Sequence, residues 1–169
     1  MSTPGDVGWI VQHDFASWWI RWAQQRKYGK HAPEARYNHC FLVVGTAGEI
    51  IEADPSGIAL GNLSEYAGTE MVLRTPPYAP GDAAVAVAAA HELLDAGDRY
   101  GFLVMGSLAV AMLTGTKLRI GIKGTQVCSG AVSYEVTRAN IDVGQDEEYN
   151  TPADVMHVAG AQAWAVGSP

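Results

Sequence analysis

The apolar and polar positions of the chain change rhythm about halfway along. Residues 7–12, VGWIVQ, are rich in β-formers and follow the turn-prone Pro4-Gly5-Asp6, so a first short strand is expected there. Phe15, Trp18, Trp19 and Trp22 then recur at helical spacing, with Asp14 placed to cap the helix and Gly29 to end it. Trp18 and Trp22 lie one turn apart. That spacing fits aromatic packing onto the core or, as the alternative, a wall of a substrate groove in which Trp18 is the contact. Residues 37–44 and 49–53 are β-rich runs around Gly45-Thr46-Ala47-Gly48, a hairpin signal. Pro55-Ser56-Gly57 marks a turn, 58–60 a short extended piece, and 70–74 a further strand closed by Pro76-Pro77.

Helical signals dominate from there. Pro80-Gly81-Asp82 opens an alanine-rich helix over about 83–96, and a turn at Gly97-Asp98 precedes Tyr100 and an apolar helix over 101–113. Another helix is expected from Cys128 to about Arg138, and Thr151-Pro152 can cap one last short turn. Strands first and helices after predict an α+β domain, with helices packed on a mostly antiparallel sheet.

Composition narrows the possibilities. A chain of 169 residues forms one domain, 1–169, burying roughly 70% of its unfolded surface. Its 48% apolar and 17% charged content is that of a globular protein, and neither a repeat nor a low-complexity linker divides it. The net charge is −7, and the eleven Lys and Arg residues are scattered except for Arg21, Arg26, Lys27 and Lys30. No basic face is available to nucleic acid. Residues 1–8 lack the cationic stretch and hydrophobic run of a signal peptide, and the most apolar segment, 101–113, falls short of the about 20 residues that span a bilayer. Two cysteines allow one crosslink at most, and five dispersed histidines lack zinc-site spacing, so neither metal nor other cofactor is expected.

Candidate chemistry centres on Cys128. At a helix start, free backbone N–H groups and the positive end of the dipole favour thiolate over thiol and can form part of an oxyanion hole. The candidate base is His39, at the head of the strand Asn38-His39-Cys40-Phe41-Leu42-Val43-Val44. Strand alternation puts His39 and Cys40 on opposite faces, so a histidine facing Cys128 is expected to turn Cys40 away as a packing residue. A third group usually fixes the imidazole. A two- or four-residue hairpin loop would place Glu52 and Asp54 on the His39 side, and a three-residue loop or a bulge would turn both away. Register alone does not choose between the two acids. His13, His31, His91 and His157 fit structural or surface roles.

Cys128-Ser129-Gly130-Ala131-Val132 with Tyr134 resembles the nucleophile motif of the NlpC-type papain-like cysteine peptidases, and Gly97-Asp98-Arg99-Tyr100 resembles their Gly-x-x-Tyr segment. His39 precedes Cys128, as in the circularly permuted branch of that superfamily. The run 38–44 together with Ile51-Glu52-Ala53-Asp54-Pro55-Ser56-Gly57-Ile58 is similar to the paired strands of that branch, and Gly5-Asp6-Val7-Gly8 fits its opening. The likeness covers about residues 5–138. It departs at Ala131, where a bulkier residue is common, and over 115–124, where nothing aligns. The resemblance implies a permuted papain-like fold and selects Glu52 over Asp54 as the orienting residue. It also implies a Tyr100 near the substrate, and a substrate drawn from peptidoglycan stem peptides or related amides bearing a free amino group. The expected activity is amide hydrolysis through a thioacyl enzyme. Two rivals are a lipid acyltransferase or thioesterase of the same fold, and a structural component of a virion or secretion assembly. The expected location is the cytoplasm or delivery by a phage.

Overall fold

The computed structural model describes residues 2–13, 15–97, 99–100, 125–143 and 150–160. Its centre is a five-stranded antiparallel sheet built from β1 (Val7–Ile10), β2 (His39–Val43), β3 (Glu49–Asp54), β4 (Gly57–Asn62) and β5 (Met71–Arg74), ordered β4-β3-β2-β1-β5. A short parallel pair, β6 (Arg99–Tyr100) and β7 (Thr125–Gln126), forms a second sheet beside β4. Helices α1 (Phe15–Tyr28), α2 (Asp82–Ala96), α3 (Cys128–Arg138) and α4 (Pro152–Gly160), with two 3-10 turns at Pro33–Arg36 and Leu63–Tyr66, complete the described elements. The expected α+β class is the one observed. Asp14, the apolar run 101–113 and the segment 115–124 lie outside the described residues.

Alternation along the strands gives the sheet two apolar faces. Val7, Trp9, Cys40, Leu42, Ile51 and Ala53 face α2 and α3, which contribute Ala86, Ala90, Ala131, Val132 and Val136. The small side chains of α2 suit close packing against α3. On the other face, Ile10, Phe41, Val43 and Ile50 are covered by Leu63, Tyr66 and Leu73. Both faces are buried, which explains why β2 reads as a continuous apolar run after His39.

The register of β2 and β3 decides where the site forms. Only Leu42–Ile51 and Val43–Ile50 are paired, although β3 runs on to Asp54 and β2 starts at His39. The strands part beyond those two rungs. β1 holds the other edge of β2 along its length, pairing Ile10 with His39 and Gly8 with Phe41. At Gly8 the absence of a side chain is required, since a Cβ would overlap the Phe41 ring.

Helix α1 departs from the expected aromatic packing. Its inward face carries polar Ser17 and Gln24, 3% and 0% exposed, whereas Trp18 is 51% exposed. Burial of Gln24 is compensated by two hydrogen bonds: its Nε2 donates to the Tyr37 carbonyl at 2.7 Å, and its Oε1 accepts from the Ala153 N–H at 2.8 Å. The last expected turn is instead the nine-residue α4, whose start is fixed by Asp154 accepting from the Thr151 N–H (2.8 Å) and hydroxyl (2.6 Å). Lys27 of α1 also meets Asp154, at 2.5 Å, and Trp9 Nε1 donates to the Pro152 carbonyl at 3.1 Å. Among the described residues, no helix is long and apolar enough to cross a membrane.

Candidate active site

Cys128 is the first residue of α3. Val127 before it is extended and supplies no side-chain cap, so the N–H groups of the first turn are not consumed by a capping oxygen. The helix packs over β2 and β3 where these strands part. That position explains why neighbours on opposite faces of one strand both reach a single sulfur. The Cys128 thiol hydrogen-bonds with the His39 ring and with the Cys40 side chain, and it also accepts from the Cys40 backbone. By register Cys40 would face Ala53, but the ladder with β3 does not extend that far, and its N–H serves the sulfur instead. The expectation that Cys40 turns away is therefore corrected. Alternation does place it opposite His39, yet Cys128 packs with Cys40 on the α3 side of the sheet and both residues act on its sulfur.

His39 and Glu52 are both 6% exposed, and Nε2 of the ring lies 2.5 Å from Glu52 Oε2. With Nε2 so engaged, Nδ1 is the nitrogen left for the sulfur. Glu52 shares the face of Phe41 because the paired positions of β2 and β3 bring odd residues of one strand opposite even residues of the other. Asp54 is at the end of β3 and spends its carboxylate on the turn, accepting from the Ser56 N–H at 2.6 Å and hydroxyl at 2.5 Å. Glu52, not Asp54, meets the ring.

The charges of the site reinforce one another. The Cys40 thiol, as donor, is the largest influence holding Cys128 well below the usual thiol range; burial opposes this, and the charge and hydrogen bond of His39 add to it. Burial also works against a charged ring at His39, yet Cys128 and then Glu52 raise it to about 10. Cys40 is pushed well up, by burial first and then by its bond to Cys128. The arrangement favours a thiolate at Cys128 and a charged ring at His39, with Glu52 behind the ring and the Cys40 thiol beside the sulfur.

Tyr66 belongs to this site, although sequence patterning does not single it out. Its hydroxyl donates to Glu52 Oε2 at 2.6 Å, and its ring stacks on Phe41 with centroids 5.6 Å apart and planes 3° from parallel. The local signal is Asn62-Leu63-Ser64-Glu65, a capping box: Ser64 N–H donates to Asn62 Oδ1 at 3.0 Å, and Asn62 N–H to Glu65 Oε1 at 2.7 Å. The turn it starts delivers Tyr66 over the sheet. A cleft of about 430 Å³ opens beside Tyr66, lined also by Gln12, His13, Thr69 and Glu70.

The remaining expected positions fall elsewhere. Trp18 projects from α1 and does not line the cleft beside Tyr66. Tyr100 is the last residue of β6, and its side chain lies outside the described residues. His13, His31, His91 and His157 are exposed. Among the described residues, no group of three or more His, Cys, Asp or Glu side chains is arranged to hold a metal ion. No model of a known protein family matches the chain, and no curated protein matches it significantly.

Proposed function

We propose that the protein is a cysteine hydrolase of the papain-like type in circularly permuted order, cleaving an amide bond through a thioacyl enzyme. The observation that carries this reading is the convergence of Cys128, His39 and Glu52 in a site where the thiol is pushed down and the imidazole up. A purely structural role would not call for a carboxylate buried against a charged ring, because burying charge is costly unless it is paired.

The thiolate of Cys128 attacks the carbonyl carbon, and the oxyanion that forms is met by the free N–H groups at the start of α3. His39, already protonated, gives its proton from Nδ1 to the leaving amine. The neutral ring then takes a proton from water, the hydroxide equivalent attacks the thioester, and the acid product leaves as the thiolate re-forms. Glu52 holds the ring at Nε2 throughout, and Tyr66 holds Glu52. The resemblance of residues 128–132 to the NlpC nucleophile motif suggests a peptide amide, with peptidoglycan stem peptides as the first substrate to offer. An acyltransferase or thioesterase of this fold is the second reading; its relatives typically use another histidine where Glu52 stands.

Alkylation by iodoacetamide below the ordinary thiol pKa of about 8.5 tests the nucleophile. Native protein is expected to label at Cys128, Cys128→Ala to lose the label, and His39→Ala to label only at higher pH. Labelling at Cys40 alone would sink the assignment. Peptidoglycan and a fatty-acyl ester, offered side by side, separate the two readings: release of new amine supports the amidase, and acyl product without amine supports the rival.

A further inference from the structure

We propose that the outward face of α1 docks on an anionic lipid bilayer. The inward face of the helix carries Ser17 and Gln24 beside Ala23, while Trp18 is half exposed to solvent. Trp22 follows one turn after Trp18 on the same side, and the Arg26 guanidinium lies over its ring, 5.1 Å from the centroid. Lys30, just past the helix, is exposed. In a chain of net charge −7, α1 contains no acidic residue at all. The acids nearest its inner side, Asp154 and Glu34, are engaged there, by Lys27 at 2.5 Å and by His157 at 3.8 Å.

Exposed tryptophan flanked by Arg and Lys is the composition that lies at a membrane–water interface, where the rings sit at headgroup level and the cations meet anionic lipid. A glycan would be the other partner for exposed tryptophan. Trp19 stands at 80° to Trp18 and 82° to Trp22, so it joins neither in a flat platform for sugar faces. Insertion among headgroups imposes no such coplanarity. The chain enters α1 from Gln12 and His13, which line the cleft beside Tyr66, so docking would bring that cleft close to the surface. The proposal does not depend on Cys128 being a nucleophile.

The test is sedimentation of the whole protein with vesicles of phosphatidylcholine alone and of an equimolar mixture with phosphatidylglycerol, with purified glycan strands as a third arm. Binding is expected to the mixed vesicles only, with a blue shift of tryptophan emission and a loss of binding as salt rises. Arg26→Glu with Lys30→Glu is expected to weaken partitioning at least about tenfold, as is Trp18→Ser with Trp22→Ser. Equal binding to neutral vesicles, no binding to either, or sedimentation with glycan strands alone would overturn the proposal. Because the salt titration uses the unaltered protein, it tests the docking whether or not the variants fold.

Discussion

Tyr66 and His39 meet on one oxygen. The hydroxyl of the first and Nε2 of the second lie 2.6 and 2.5 Å from Glu52 Oε2, so the carboxylate is held from two directions. Tyr66→Phe keeps the stack on Phe41 and removes only the hydroxyl. We expect a fall in kcat of about tenfold with KM little changed, since a hydrogen bond to a charged group is lost behind the ring rather than at the substrate. A rise in the imidazole pKa, followed by NMR, would accompany it, because the carboxylate loses a donor that shares its charge. An unchanged imidazole titration would show that Tyr66 only packs.

Cys40 is a donor to the Cys128 sulfur, which makes an unusual prediction for a buried thiol. Cys40→Ala is expected to move the onset of Cys128 alkylation to higher pH, because the largest influence lowering that thiol is removed. Cys40→Ser restores a donor in nearly the same place and should recover part of the shift. If both variants alkylate like the native protein, Cys40 is packing alone.

Gly8 supports the site at third hand. It leaves room for the Phe41 ring, on which Tyr66 stacks, and Tyr66 in turn holds Glu52. Gly8→Ala should destabilise the fold by about 1–3 kcal/mol through overpacking. It should also lower activity at temperatures where the variant is still folded. Chemical denaturation and activity measured on the same sample separate the two effects.

Glu135 lies two turns beyond Cys128 on α3, is fully buried, and among the described residues neither carboxyl oxygen has a hydrogen-bond partner. Burial alone pushes it well above the ordinary carboxyl range, so the folded protein carries it neutral. Its contribution to stability is complete below the unfolded value of about 4.3 and is lost as pH rises through the native value, because the unfolded chain releases its proton first. Glu135→Gln should flatten that part of the stability–pH curve. Glu135→Leu should raise stability near neutral pH, on the order of 1–3 kcal/mol, by removing unsatisfied polar atoms from the core. A steeper curve in Glu135→Gln would contradict the neutral, buried carboxyl.

The parts of the site that follow from local periodicity are legible in the sequence. Alternation and hairpin parity put Glu52 on the side of His39, and α3 starts at Cys128 as expected. What the sequence does not reveal depends on where two strands stop pairing. Nothing in residues 39–54 announces that the ladder ends after Leu42–Ile51, and the approach of Cys40 to Cys128 follows from that ending. Trp18 departs from expectation for a related reason: helical spacing identifies a face, but which face turns inward is decided by two hydrogen bonds of Gln24 to distant backbone. Tyr66 stays hidden although the capping box before it is readable, because a cap locates a turn and not what that turn covers.

The order of the elements has a consequence for biosynthesis. All five strands of the main sheet are complete by Arg74, while Cys128 comes more than fifty residues later. A ribosome therefore delivers His39, Glu52 and Tyr66 before Cys128 exists. The newly made Cys128 remains an ordinary thiol until α3 docks in the opening between β2 and β3, since the groups that draw off its proton reside on the sheet. On the function proposed above, reactivity is thus switched on by the docking of one helix.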